Sequence, residues 1–245
     1  MSAAAEERVL ISVATYNERE NLPELVRQLH ETAPTADILI VDDNSPDGTG
    51  AWADEAAAKD QRIHVVHRAG KLGLGTAIVA GMRFAIEHKY DLFLNMDADF
   101  SHQPRYIPAL LAGMKDHDLM IGSRYMPGGG TVGWARSRLF ISSSLNRLVR
   151  LLLRVRVLDS SGGFRCYRVA MLQRVSLGKI ISRGYSFQQE MLYRCCLAGA
   201  RVGETPIIFE ERRAGSSKVN LWESVRSLSV IFWLGFLHLL GLGKP

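Results

Sequence analysis

Leu92-Phe93-Leu94-Asn95-Met96-Asp97-Ala98-Asp99-Phe100-Ser101-His102 reads as a buried strand that runs out into a polar loop. In a strand, residues i and i+2 point to the same side, so Asp97 and Asp99 are expected to converge. Two carboxylates at one spot repel, and one would hold a proton unless a cation neutralises them. A hard divalent ion, Mg²⁺ or Mn²⁺, takes such oxygen ligands together with substrate phosphates. Read alone, Asp-x-Asp also fits two capping carboxylates on a solvated loop, so the rest of the chain has to decide.

Working outward, short apolar runs alternate with helical patterns. Val9–Ala14, Ile38–Val41, Ile63–His67, Leu92–Met96 and Leu119–Ser123 read as strands. Between them, helices are expected from Asn21 to about Leu29, over Thr49–Lys59, Thr76–His88 and Pro104–Met114. Asn21 with Glu24 has the spacing of a capping box, and Pro23 is tolerated in a first turn. Continuous apolar strands alternating with helices predict an α/β fold, a mostly parallel sheet covered on both faces. Ligands of such sheets sit beyond the carboxyl ends of the strands. The conspicuous polar residues fall there: Tyr16 to Glu18, Asp42 and Asp43, then Asp97 and Asp99. Asp47-Gly48-Thr49 reads as an Asx-turn into the next helix, which leaves Asp43 as the better ligand candidate.

After Tyr125 the alternation breaks. Pro127-Gly128-Gly129-Gly130 is a candidate lid, and Leu139–Val157 a long helix with Arg147, Arg150 and Arg154 on one face. Phe164–Tyr167 and Val202–Glu210 read as strands, Phe187–Leu197 as a helix. The glycines of Lys71-Leu72-Gly73-Leu74-Gly75-Thr76 lack P-loop and dinucleotide spacing, and read as close packing. His102 reads as a surface or capping residue.

The 245 residues are 47% hydrophobic and suit one globular domain. A net charge of +5 fits an anionic ligand or a membrane surface. The basic residues are not interleaved with exposed aromatics, which disfavours nucleic acid. Cys166, Cys195 and Cys196 form no metal pattern and point to a reducing, cytoplasmic setting. Met1–Arg8 has no apolar core of the signal-peptide kind. Leu228–Leu242, broken by His238, falls short of the roughly 20 residues that span a bilayer. Trp222, Phe232, Trp233 and Phe236 there favour an interfacial helix. The expected organisation is 1–224 as the main domain and 225–245 as an apolar helix in membrane contact.

Arg124 ends the fifth strand, and Arg212, Arg213 and Lys218 follow a later one. Cations at a sheet edge clamp phosphates, Arg bidentately and Lys as a point charge; Arg213 reads as solvated. Thr15 to Leu22, Val41 to Thr49, Leu72 to Ala77, Met96 to Asp99 and Gly122 to Tyr125 occur in an order that resembles the polyprenol (dolichol) phosphate mannosyltransferases of glycosyltransferase family 2, with the GT-A (Rossmann-like) fold. Asp159-x-x-Gly162-x-Phe164-Arg165, Phe187-Gln188-x-Glu190-Met191 and Arg212-x-x-Gly215-x-Ser217-Lys218 extend the likeness.

The resemblance implies that Ala14, Tyr16, Glu18, Val41 and Asp43 hold the nucleoside. Asp97, Ala98 and Asp99 would meet the sugar nucleotide and a Mg²⁺ or Mn²⁺, with Asp99 the firmest ligand. Ser101 stands where some members place a metal-binding Gln, and its hydroxyl is a weaker ligand. Arg124, Arg212 and Lys218 would bind phosphates, with Arg138 a further candidate around the acceptor. The implied reaction moves mannose from GDP-mannose to polyprenyl or dolichyl phosphate with inversion. It would take place at the cytosolic face of a membrane, with small membrane subunits as candidate partners. The rival readings are a UDP-glucose enzyme of the same fold, a nucleotidyltransferase, and a non-catalytic sugar-nucleotide-binding subunit.

Overall fold

Apolar strands split their side chains between two cores. In β1 (Val9–Thr15), Leu10 joins one core while Ile11 and Val13 join the other; in β2 (Asp37–Asp42), Leu39 and Val41 part from Ile38 and Ile40 in the same way. The period of two forces this division, so both faces of the sheet need a cover. One face takes α1 (Leu22–Thr32), α2 (Thr49–Lys59) and α4 (Ile107–Gly113). The other takes α3 (Leu74–Glu87), α5 (Arg136–Leu153), α6 (Val169–Leu172), α7 (Phe187–Leu197) and α8 (Leu221–Leu239). The structure is a computed structural model that describes residues 7–184, 186–211, 221–243 and 245, with the side chains of 221–227 outside that description. Arg212, Arg213 and Lys218, and the Trp222 side chain, therefore lie outside the described residues.

The remaining strands are β3 (Ile63–His67), β4 (Leu92–Asp97), β5 (Leu119–Ser123), β6 (Gly130–Val132), β7 (Arg165–Arg168), β8 (Val202–Pro206) and β9 (Ile208–Glu210). Among the described residues seven of the nine strands form one sheet in the order β3-β2-β1-β4-β7-β5-β8, and β6 pairs with β9 apart from it. The chain leaves β1 toward β2 and β3, then returns to β4 on the other side of β1. That reversal is a topological switch point, where open α/β sheets bind ligands. β7 alone runs antiparallel, between β4 and β5. It enters the sheet from the carboxyl edge, so the segment before it lies across the strand ends that matter here.

Several local expectations change. Asn21 makes no capping bond; its side chain donates to Glu18 Oε2 at 2.8 Å, and Glu24 instead pairs with Arg27 at 2.6 Å. The Glu18 carbonyl accepts the Leu22 N–H, so this helix start is built from backbone. Val202–Glu210 is two strands in two sheets, because Ile207 turns inward and is buried. Pro104–Met114 splits into a 3-10 turn and α4. The long helix starts at Arg136 and stops at Leu153, where Arg154 adopts a left-handed φ of 52°. The Pro127–Gly130 stretch is no open lid, since Gly130 belongs to β6 and its N–H donates to the Ile207 carbonyl at 3.0 Å. All three cysteines are free thiols, and burial pushes Cys195 up to about 12.

The glycines before α3 mark close packing, as expected. A Cβ on Gly75 would lie 2.7 Å from the Phe187 ring. Gly73 has φ +102°, and a Cβ there would lie 2.6 Å from the Arg183 carbonyl oxygen. Gly73→Ala combines a disfavoured backbone with a backbone clash, so it is expected to cost about 2 kcal/mol or more. Urea unfolding of the variant checks this; a midpoint unchanged from wild type would contradict it.

Candidate active site

Strand register assembles the first half of the site. Ala14 is flanked by Val41 of β2 and Asp97 of β4 in one row across the carboxyl edge. Tyr16, Asp43 and Ala98 leave their strands just beyond. Asp42 does not face a ligand: its carboxylate accepts from Thr15 Oγ1 at 3.0 Å, Ser45 Oγ at 2.6 Å and Ser45 N at 3.0 Å. Asp47, Ser45 and Thr49 take the N–H groups of Arg19, Asn17 and Glu18, each within 3.1 Å, and so staple the Tyr16–Glu18 loop to the second strand's exit.

Asp43 is left as the functional carboxylate of this pair. Its Oδ1 lies 2.7 Å from Arg68 Nη1, a buried ion pair without hydrogen-bond alignment, so both atoms keep bonding capacity. Burial raises the Asp43 carboxyl above its ordinary value, against the opposing pull of Arg68. Lys71 lies over the Tyr16 ring, 4.6 Å from its centroid. A carboxylate, an aromatic face and two cations at a sheet edge suit a nucleoside and its phosphates. Arg68 and Lys71 were not singled out as ligands in the sequence, although both follow β3 directly.

The central carboxylates differ from the alternation argument. β4 ends at Asp97, and Phe100 has a left-handed φ of 61°, so Asp99 belongs to a turn and not to the strand. Asp99 is held by Ser101, whose N–H and Oγ donate to Oδ1 at 3.1 and 2.6 Å. The Ser101 hydroxyl thereby orients Asp99. His102 is neither surface nor cap. It is 2% exposed, stacks on Phe164 and meets Phe209 edge-on. Its Nδ1 accepts the Asp97 backbone N–H at 3.0 Å, which fixes the exit of β4. Among the described residues no three His, Cys, Asp or Glu come together as a closed metal cage. Two hard carboxylates match an ion whose other ligands are substrate phosphates and water.

The antiparallel β7 builds the other half. The segment before it crosses the exit of β4, with Asn95 Nδ2 donating to the Gly163 carbonyl at 2.9 Å. It carries Asp159, which takes Arg124 bidentately, Nε and Nη2 at 2.7 Å each. Arg124 Nη2 also donates to Ser161 Oγ at 2.7 Å, which leaves Nη1 for a ligand. Burial alone would raise the Asp159 carboxyl; the Arg124 bonds and charge outweigh it and hold the group below the usual carboxylate range. Arg165, fully buried, donates to the carbonyls of Ser160, Gly162 and Gln188 and so locks this loop to α7. The Arg124 guanidinium also lies over Trp134 and Phe209, and Arg138 covers Trp134 at 4.0 Å while pairing with Glu211 at 2.8 Å.

Above this floor opens a cleft of about 930 Å³. Its lining combines the polar Asp97, Arg124, Arg138 and Gln188 with the apolar Phe140, Ile141, Leu145, Leu148 and Leu228. Gly163 lies on this floor, where a Cβ would make ordinary contacts with Gln188, His102 and Asp97 at 3.4 to 3.9 Å.

Residues 10–179 match the family described as Glycosyl transferase family 2. The chain is 46% identical over 213 residues to the undecaprenyl-phosphate mannosyltransferase of Micrococcus luteus, covering 87% of this chain and 88% of that one. It is 44% identical over 216 residues to the polyprenol monophosphomannose synthase of Mycolicibacterium smegmatis, covering 87% and 82%.

The chain belongs to glycosyl transferase family 2.

Among solved structures, the glucosyl-3-phosphoglycerate synthase of Mycobacterium tuberculosis, in complex with Mn²⁺, UDP and glucosyl-3-phosphoglycerate, superposes with a TM-score of 0.64. It shares 16% identity, covering 98% of this chain and 82% of that one, and shows the common fold. Besides Arg68 and Lys71, sequence reading gave no role to Asp159, Ser161, Trp134 and Phe209, which gather around Arg124. Asp159 stood inside a quoted motif without a role, because only the packed structure places it against Arg124.

Proposed function

We propose that this protein transfers mannose from GDP-mannose to a polyprenyl phosphate, with inversion, giving polyprenyl phosphate β-mannose and GDP. The observation that carries this reading is the cleft itself, which is lined both by the cations Arg124 and Arg138 and by the apolar Phe140, Ile141, Leu145, Leu148 and Leu228. A ligand that joins a phosphate to a hydrocarbon fits that mixed lining. The two mannosyltransferase relatives support the choice of sugar and acceptor.

In this reading Ala14, Tyr16, Glu18, Val41 and Asp43 hold the nucleoside, and Ala98 lines its diphosphate. Asp97 and Asp99, with Ser101 behind Asp99, would hold a Mg²⁺ or Mn²⁺. That ion supplies charge neutralisation for the departing diphosphate. An acceptor phosphate oxygen forms the new bond to the anomeric carbon as the bond to the GDP oxygen breaks. The acceptor is already anionic at neutral pH, so the site needs cations around it and no strong base. Arg124 Nη1 and Arg138 meet that need, and Arg212 and Lys218 are assigned to the same task from the family likeness. The chain's contribution is then positioning and preorganised electrostatics.

The decisive assay offers a short polyprenyl phosphate with GDP-mannose or, separately, UDP-glucose, with and without divalent cation. Metal-dependent mannolipid from GDP-mannose is the expected product. Glucolipid alone would move the chain to a glucosyltransferase reading, and no transfer by the full chain would overturn catalysis on this acceptor.

The protein is also proposed to work as a peripheral protein at the cytosolic face of a membrane, by itself or with small membrane subunits. Among the described residues no helix is long and apolar enough to cross a bilayer. In α8, Ile231 and Leu234 are buried against the core, while Phe232, Trp233 and Phe236 are exposed, as are Phe140 and Ile141 of α5. The residues from 225 onward are thus assigned two jobs, core packing on one face and lipid contact on the other. Deleting the helix would uncover the core, so a point change is the cleaner probe. Phe232→Asp with Trp233→Asp is expected to weaken vesicle flotation at least tenfold, since apolar area and interfacial aromatics set such binding. Flotation equal to wild type would remove α8 from the membrane contact.

A further inference from the structure

The apolar residues of α5 and Leu228 make one lip of the cleft. Residues of two other segments, Leu74, Gly184 and Phe187, line the same cleft. Leu72, Leu74 and Ile181 are 57%, 47% and 50% exposed. They belong to two segments, the turn leading into α3 and the stretch leading into α7. The two are joined, because Gly75 N donates to the Arg183 carbonyl at 3.0 Å and the side-chain-free Gly73 lies against the same oxygen.

The segment carrying Ile181 is pinned from below. Glu190, fully buried, accepts the N–H of Ser182 at 2.9 Å and of Ile181 at 3.2 Å, and is itself paired with Arg194 at 2.8 Å. Ile181 is therefore held outward by a built framework. Single exposed apolar residues are ordinary, but three on adjoining, anchored segments at the rim of a cleft form a patch. Exposed Lys179 and Arg183 flank Ile181 along the chain, a charge pattern complementary to anionic lipid headgroups.

We propose that Leu72, Leu74 and Ile181 form a second membrane-contacting lip that inserts into an anionic lipid bilayer. This inference rests on the reading of α5 and α8 as the first lip. With both lips in the interface, the cleft opens directly into the lipid phase. The acceptor's hydrocarbon then enters sideways and never crosses water, and only its phosphate reaches Arg124.

An environment-sensitive fluorophore on a single introduced cysteine tests this, at Leu72, at Ile181, at Phe140 on the first lip, and at Glu31 on α1 as the water-exposed control. Labelling of the wild-type chain measures the background from Cys196. The probe is a phosphatidylcholine–phosphatidylglycerol vesicle with brominated acyl chains. Quenching at 72 and 181 comparable to that at 140, with none at 31, is the expected result. Quenching at 140 alone would overturn the second lip and leave the membrane reading intact. Quenching nowhere would sink both. A spectral change at 72 and 181 with GDP alone, unaltered by vesicles, would mean that these segments close over the nucleotide, and would overturn the inference. Leu72→Asp with Ile181→Asp is expected to weaken vesicle partitioning about tenfold with the melting temperature unchanged; partitioning equal to wild type would count against it.

Discussion

Asp99→Asn is expected to lower mannosyl transfer about a thousandfold, the scale on which preorganised charge at a leaving group acts. The change is close to isosteric. The Asn carbonyl can still accept from the Ser101 N–H and hydroxyl that hold Asp99 Oδ1. Folding should therefore survive, and thermal melting should shift little. The loss would fall on chemistry because, in the proposed site, Asp99 is one of the two carboxylates that would hold the diphosphate-bound ion. Ser101→Ala acts one step further out and is expected to raise the metal concentration needed by about tenfold, since it frees the carboxylate it orients. Asp42→Asn is the contrast. That carboxylate is consumed by Thr15 and Ser45, so its loss should appear in stability and leave turnover nearly intact. Measuring transfer across a metal titration for the three variants checks the set. Near-normal turnover of Asp99→Asn at saturating metal would remove Asp99 from the reaction.

Asp159→Ala is expected to cost about 3–5 kcal/mol, because it strands the buried Arg124 guanidinium without a counter-charge. For a chain of this length that lowers the melting temperature by roughly 10 °C or more. Transfer should fall as well, since Arg124 loses the two bonds that aim it. Pairing the change with Arg124→Met replaces both charges by apolar groups and should recover much of the stability without restoring transfer. That split separates the structural share of the pair from its share in binding the acceptor. Melting of Asp159→Ala at the wild-type temperature would refute the buried pair. The same contact sets an acid limit. Asp159 is held below its unfolded value, so its stabilisation is fully present above about pH 4 and is lost as pH falls through the depressed folded value. The double variant should lack this component of acid unfolding.

Much of the sheet edge around Ala14, Asp43 and Asp97 was legible because it is local. Strand exits can be located from where apolar runs stop, and chain direction puts Ala14, Asp43 and Asp97 on one edge once the strands are parallel. Asp43 was preferred to Asp47 because it leaves the strand at the carboxyl edge, and the Asx-turn at Asp47 was readable from Asp-Gly-Thr. The errors were of two kinds. His102 follows two carboxylates in a loop, so it looked solvated; its burial comes from Phe164 and Phe209, which lie far along the chain. The capping box at Asn21 failed because the Glu18 carbonyl and side chain were nearer competitors for the same groups.

The sequence by itself determined the layered sheet, its ligand-binding edge and the two acidic exits, because each depends on periodicity and chain direction over a few residues. Only the tertiary structure decided the part of the edge built around Arg124. Antiparallel insertion of β7 brings Asp159 to Arg124 across 35 positions of chain and gives both a buried setting. The energy of that pair depends on desolvation, and desolvation belongs to the packed state and not to any local stretch of chain.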